Sequence, residues 1–218
     1  MNTTNNNSLS ATGREFFNNQ NKKEAFINKE WLTTQNYQFK ILVMIAVLAE
    51  NHLAYRGKLK DMCEFLGVKP SAYNNGKIKE AIEALEKKGD IKYIKEGQTW
   101  TLTLSVKAEK KQRVVRIKKG WISAIQKYQG PIGQEIAWEN ILKVLVYLIA
   151  DKQDIKTYKK ISNDLNLDET CVKRAIYALD GIDFGDLAIT RKLAWFKNKD
   201  DEFRIKGQHI DTWLTFKD

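Results

Sequence analysis

Apolar positions fall into three kinds of block along the chain. Two stretches, Phe39 to Leu48 and Ile141 to Ile149, are apolar almost throughout and predict helices buried on every side. Behind each come two shorter amphipathic segments separated by a tight turn. In the first half these run from Lys58 to Leu66 and from Asn75 to Lys88, around Gly67-Val68-Lys69-Pro70-Ser71. In the second half they run from Tyr158 to Leu165 and from Glu169 to Leu179, around Asn166-Leu167-Asp168. Ser71 and Asp168 are suited to cap the helices that follow, because their side-chain oxygens can accept from free backbone N–H groups. The third kind of block alternates with period two and predicts hairpins. One is Ile91-Lys92-Tyr93-Ile94, a Glu96-Gly97-Gln98 tip and Trp100 to Leu104. The other runs from Leu187-Ala188-Ile189 through Leu193 to Phe196, over Lys197 to Asp201, and back along Phe203-Arg204-Ile205.

The two halves match each other residue by residue. Ile78 to Glu86 reads IKEAIEALE and Val172 to Asp180 reads VKRAIYALD, at an offset of 94. Ile27-x-Lys29-x-Trp31-Leu32-Thr33 faces Ile117-x-Lys119-x-Trp121-Ile122-Ser123 at 90. Lys40-Ile41-Leu42 faces Asn140-Ile141-Leu142 at 100, and Phe65 to Val68 faces Asp164 to Leu167 at 99. Four matches in the same order predict an internal duplication whose drifting offset reflects loop insertions. The expected organisation is an Asn-rich arm over residues 1–25, a first domain over 26–106, a basic connector over 107–119, half of it a strand through the alternating Val114, Val115, Arg116 and Ile117, and a second domain over 120–218. The fold class is α+β, mainly α.

Helix, helix, turn, helix, hairpin is the order of a winged helix-turn-helix. Cys63-Glu64-Phe65-Leu66-Gly67-Val68, followed by Ile78-x-x-x-Ile82-x-x-Leu85-x-x-x-Gly89-Asp90-Ile91, resembles the turn, recognition helix and start of the wing in bacterial winged-helix domains. The second half is similar through Leu165-x-Leu167 and Val172-x-x-x-Ile176-x-x-Leu179. Two copies in one Lys- and Asn-rich chain resemble the tandem winged-helix replication initiators of plasmids and phages. That resemblance implies a double-stranded DNA partner; no enzyme, cofactor or metal is expected, because the residue patterns such chemistry needs are missing.

Charge agrees with it. The 218 residues hold 37 Lys and Arg against 27 Asp and Glu, a net charge of +10, and nucleic acid is the commonest polyanionic partner of such a surface. Cys63 and Cys171 form no metal-ligand spacing and no disulfide framework, so a reducing cytoplasm is the expected compartment. No apolar run approaches the roughly 20 residues that span a bilayer, so a membrane partner is not expected. Walker, dinucleotide-binding and His-x-x-x-His patterns are missing, and His52 and His209 stand alone.

In a helix-turn-helix the second helix enters the major groove with its N-terminal residues against base edges. With Ile78, Ile82 and Leu85 facing inward, Lys69, Ser71, Tyr73, Asn74, Asn75, Lys77 and Lys79 are the first set of candidate DNA contacts. Asn74-Asn75-Gly76 reads equally well as a turn. Five extra residues in the first half, the difference between offsets 99 and 94, lead us to expect its recognition helix to begin late. The second set is Thr170, Lys173, Arg174 and Tyr177, on a helix opened by Asp168 and Glu169, whose carboxylates repel phosphate. The first unit is therefore expected to dominate. Arg191, Lys192, Lys197 and Lys199 are candidates on the second wing, diluted by Asp200, Asp201 and Glu202, a triplet that reads as a solvated tip before a metal site. The connector adds Lys110, Lys111, Arg113 and Arg116. Trp31 and Trp121 read as core anchors, and the two cysteines as buried small hydrophobes.

Two readings of other kinds stand beside replication initiation: transcriptional repression, and a winged-helix protein-interaction module, since fold does not dictate function. A second copy of the chain, or a replication or transcription protein, is the corresponding further partner.

Overall fold

The computed structural model describes residues 24–49, 54–105, 114–133, 135–150, 156–185, 187–193, 196–197, 203–204 and 209–216, with only the backbone described from Ala188 onward. It is α+β, mostly helical, with small antiparallel sheets. The chain divides into two compact units. One contains Gln35–Gln112; the other joins Phe26–Thr34 to Arg113–Asp218.

The first unit opens with α1 (Asn36–Leu48), in which every residue from Gln38 to Ala46 is buried, as the apolar run from Ile41 onward leads one to expect. Lys40 is buried among them, and its Nζ donates to the Leu66 carbonyl at 3.4 Å. Strand β2 (Ala54–Lys58) leads into α2 (Leu59–Leu66), where the Asp61 carboxylate accepts from the Lys58 amide at 2.9 Å. Gly67 ends α2 with φ +70°, so that the Gly67 and Val68 amides fold back onto the Glu64 and Cys63 carbonyls. Next comes α3 (Ala72–Lys88), capped by the Ser71 hydroxyl, which accepts from the Asn74 amide at 3.1 Å. Ile78, Ala81, Ile82 and Leu85 form its buried stripe.

A hairpin closes the unit. Strands β3 (Ile91–Glu96) and β4 (Thr99–Leu104) pair from Ile91 opposite Leu104 to Glu96 opposite Thr99. The two-residue turn has Gly97 at φ +60°, the conformation glycine takes at the first position of a type II′ hairpin. Strand β2 pairs antiparallel with β4, which gives the order β2-β4-β3.

From its central helix onward the second unit has helix, strand, helix, helix and closing strands in the same order, with two further elements immediately ahead of that helix and two short strands before the last one. Its central helix α5 (Trp138–Ala150) comes after β5 (Val114–Lys118) and α4 (Lys119–Lys127) and is buried from Ile141 to Leu148. Then come β6 (Lys156–Thr157), α6 (Tyr158–Leu165), α7 (Glu169–Gly181), β7 (Leu187–Leu193), the short strands β8 (Phe196–Lys197) and β9 (Phe203–Arg204), and β10 (His209–Phe216). Its sheet order is β6-β10-β7, with the last strand in the middle as in the first unit. Asn166 ends α6 at φ +51°, in the place Gly67 takes in the first unit, and asparagine tolerates that conformation better than other residues with a Cβ. Val172, Ala175, Ile176 and Leu179 are buried at the positions matching Ile78, Ala81, Ile82 and Leu85. Trp121 is buried edge-on to Phe184, whereas Trp31 is only half-buried.

Three sequence expectations need correction. Residues 26–34 lie in the second unit: β1 (Glu24–Asn28) pairs with β5, and the 3₁₀ helix Lys29–Thr33 packs on α5 and α6. Lys143 Nζ donates to the Thr34 carbonyl at 2.8 Å, and Arg116 lies over the Phe26 ring. The strand expected over Val114 to Ile117 at the end of the connector is β5, and it belongs to that unit. The second hairpin returns along β10, where Phe216 faces Leu187 and Ile210 faces Leu193, while residues 203–204 pair only with 196–197. Finally, α3 begins early. It places six residues before Ile78 where α7 places three before Val172, and its preceding turn is five residues long against three. Asn74, Asn75 and Gly76 are consequently helical and form no turn.

Candidate nucleic-acid interface

The face of α3 opposite its buried stripe carries Tyr73, Gly76, Glu80 and Glu83, with Lys77 and Lys79 on its two flanks. Tyr73 is 70% exposed, more than Tyr177, the other strongly exposed tyrosine among the described residues. Lys69 is exposed in the turn ahead of the helix, and neither it nor Lys79 has an acidic partner among the described residues. Lys77 differs: its Nζ lies 2.9 Å from Glu80, and that hydrogen bond and charge raise its pKa further. Part of its field is thereby cancelled at the surface.

The two asparagines are engaged within the chain. Asn74 Oδ1 accepts from the Tyr37 hydroxyl at 3.0 Å and its Nδ2 donates to the Lys69 carbonyl at 2.9 Å. Asn75 Oδ1 accepts from Cys63 Sγ at 3.4 Å. Both side chains brace the turn between α2 and α3, because the early start of α3 places Asn75 beside the inward stripe. Ser71 is likewise occupied as the cap. Of the first candidate set, Lys69, Tyr73, Lys77 and Lys79 face outward around the beginning of one helix.

On α7 the balance of charge is different. Asp168 accepts from the Thr170 amide at 2.7 Å and the Cys171 amide at 3.3 Å, and those two donors hold its carboxyl below the usual range. Lys173 pairs with Glu169 at 3.1 Å and lies 5.4 Å from the Tyr158 ring centre. Arg174 and Thr170 are not buried, and the Arg174 charge acts on Asp168 and Glu135. Tyr177 is 49% exposed. Each cation of α7 thus has a carboxylate in its field.

The first hairpin supplies residues that the sequence-derived set does not contain. Period two places Arg56, Lys58, Lys92, Ile94 and Glu96 on the outer face of the β2-β4-β3 sheet, and all five are exposed. Ile94 is 62% exposed, a bare apolar side chain among cations. Arg56 reaches Glu96 at 3.6 Å, a pair so solvated that it restrains neither charge strongly. Lys95, on the other face, rests its Nζ 5.5 Å from the Trp100 ring centre. The signal is present in the chain: Lys92 and Ile94 alternate with Ile91 and Tyr93.

Comparison with known protein families, curated proteins and solved structures returned no match.

The remaining candidates divide by position. Arg116 is exposed on β5, with its guanidinium carbon 5.7 Å from the Phe26 ring centre. Arg191 and Lys192 are on strand β7 and Lys197 on β8, placed there by backbone alone. Lys110, Lys111, Arg113 and Lys199, the acidic residues 200–202 and most of the arm over residues 1–25 lie outside the described residues. Among the described residues, no helix is long and apolar enough to cross a membrane.

Proposed function

We propose that this chain is a non-enzymatic, double-stranded DNA-binding protein made of two winged-helix units, of the kind that initiates or maintains replication of a mobile element. The observation that carries the reading is the shared topology: in each unit a buried helix is followed by strand, helix, helix and closing strands, the last of them central in its sheet. That plan leaves one face of α3 turned away from the core, and the sheet it packs on carries Arg56, Lys58 and Lys92 on its outer face. With a net charge of +10, phosphate is the partner such a surface attracts. Lys69 and Lys79 would meet phosphates, and Tyr73 and Lys77 would lie nearest the bases. Transcriptional repression uses the same chemistry and differs only in where the site lies.

The test is selection of a binding site from random duplexes, followed by footprinting and by salt titration of the selected duplex. Exchanging both Lys69 and Lys79 for Glu should weaken binding at least about tenfold and lower the slope of log K against log salt by about one for each phosphate no longer neutralised. Unchanged affinity and slope in that variant would refute the assignment to α3.

A second reading rests on α7. A helix whose cations are matched by Glu169, Asp168 and Glu135, and which presents Tyr177, suits a protein surface better than a polyphosphate. Under that reading the second unit docks a partner protein while the first holds DNA.

A further inference from the structure

The helix α3 contains a glycine that its own fold does not call for. Gly76 is the fifth residue of α3, has no positive φ, and a Cβ built on it meets no heavy atom within 4 Å. The other described glycines with open space around them differ. Gly97, Gly133 and Gly185 have positive φ, and Gly120 is the second residue of its helix, where helix propensity counts for little. Within a helix glycine is the worst ordinary residue after proline, so a half-buried interior position with room for alanine is destabilised by having none.

Its direction is specific. At 100° per residue, Gly76 points about 170° away from the centre of the buried stripe formed by Ile78, Ala81, Ile82 and Leu85. It is the bare centre of the solvent face, with Lys77, paired to Glu80, to one side, Lys79 to the other, the exposed ring of Tyr73 one turn earlier and Glu80 one turn later.

We infer that Gly76 is the point of closest approach between α3 and DNA: the missing side chain lets the duplex settle against the helix backbone while Lys79 reaches phosphate on one flank and Lys77 lies toward the bases on the other. The inference rests on the duplex-binding reading and adds to it a residue that acts by being small. Backbone-to-ligand approach is one of the few uses that offset glycine's conformational cost. No terminal amide of the helix is involved, since the contact lies on the side of the helix and in its second turn.

Full-length Gly76→Ala and Gly76→Leu variants test it, each measured by thermal unfolding and by anisotropy titration of the duplex selected with the wild-type protein. Both should unfold at a higher temperature than wild type. Their Kd should rise, by about tenfold or more for alanine and further for leucine, with the salt slope unchanged because no cation has been removed. A wild type that binds duplex, together with variants that bind it equally well, would overturn the inference and leave the duplex reading intact. Variants less stable than wild type would overturn it too, by showing that the space at Gly76 is not open. Wild-type protein that retains no duplex at low salt would remove the duplex reading itself, and this inference with it.

Discussion

Gly57 in strand β2 offers a quantitative test of the packing that holds the first sheet to its helices. Its φ is not positive, so nothing in its backbone conformation demands glycine. What demands it is Tyr55, two residues earlier on the same face, whose ring covers the Gly57 α-carbon. A Cβ at residue 57 would sit 2.1 Å from the Tyr55 hydroxyl oxygen and 2.5 Å from Cζ, far inside van der Waals contact. Gly57→Ala must therefore displace a ring that is 6% exposed. Expelling a buried aromatic side chain costs about 2–3 kcal/mol, and straining it in place costs a similar amount. Alanine returns about 0.5–1 kcal/mol by restricting the unfolded chain. The expected net loss is about 2 kcal/mol, read as a lower urea midpoint with an unchanged m value. Tyr55→Phe should not rescue the variant, because Cζ remains. Tyr55→Ala removes the clash, so adding Gly57→Ala in that background should change stability little, giving a coupling of about 2 kcal/mol. A Gly57→Ala protein as stable as wild type, or one equally destabilised in both backgrounds, would refute the reasoning.

Two pH-dependent predictions follow from buried groups. Burial, with a smaller contribution from the Asp61 charge, pushes the Tyr55 phenol up to about 12, and its hydroxyl has no hydrogen-bond partner among the described residues. Above pH 10 the unfolded chain ionises this tyrosine while the folded chain does not, so stability should fall between pH 10 and 12; Tyr55→Phe should remove that part of the fall without lowering stability at pH 7. Lys143 moves oppositely: burial brings it down to about 8 against the opposing influence of Glu139 and Cys171. Between pH 8 and the ordinary lysine range the unfolded state holds the extra proton, so urea midpoints should rise with pH over that window in wild type and stay flat in Lys143→Met. A wild-type profile without that rise would exclude the assignment.

Much of each unit is legible in the sequence because the deciding interactions are local. The nearly continuous apolar runs give α1 and α5, and the stripe beginning at Ile78 and again at Val172 gives the inward faces of α3 and α7. Ser71, Asp168, Gly67 and Asn166 mark helix ends by short-range hydrogen bonding and backbone preference. Three features escape because they depend on distant partners. The destination of residues 26–34 is set by pairing with β5, far along the chain, and the local pattern Ile27-x-Lys29-x-Trp31 is indifferent to which unit it joins. In β10 a polar Asp211 and Thr212 interrupt the apolar alternation, so its pairing with β7 is visible only in three dimensions. Asn74 and Asn75 carry the right chemistry for reading bases, yet Tyr37 and Cys63 occupy their carbonyl oxygens.

Because Phe26–Thr34 finds its partners among residues beyond Arg113, one unit is written inside the other along the chain. A ribosome releases the first unit's helices and hairpin before the segment ahead of them has anything to pair with. A protease cut anywhere between residues 34 and 113 would therefore leave a strand of the second unit without its covalent tether, as well as breaking the first.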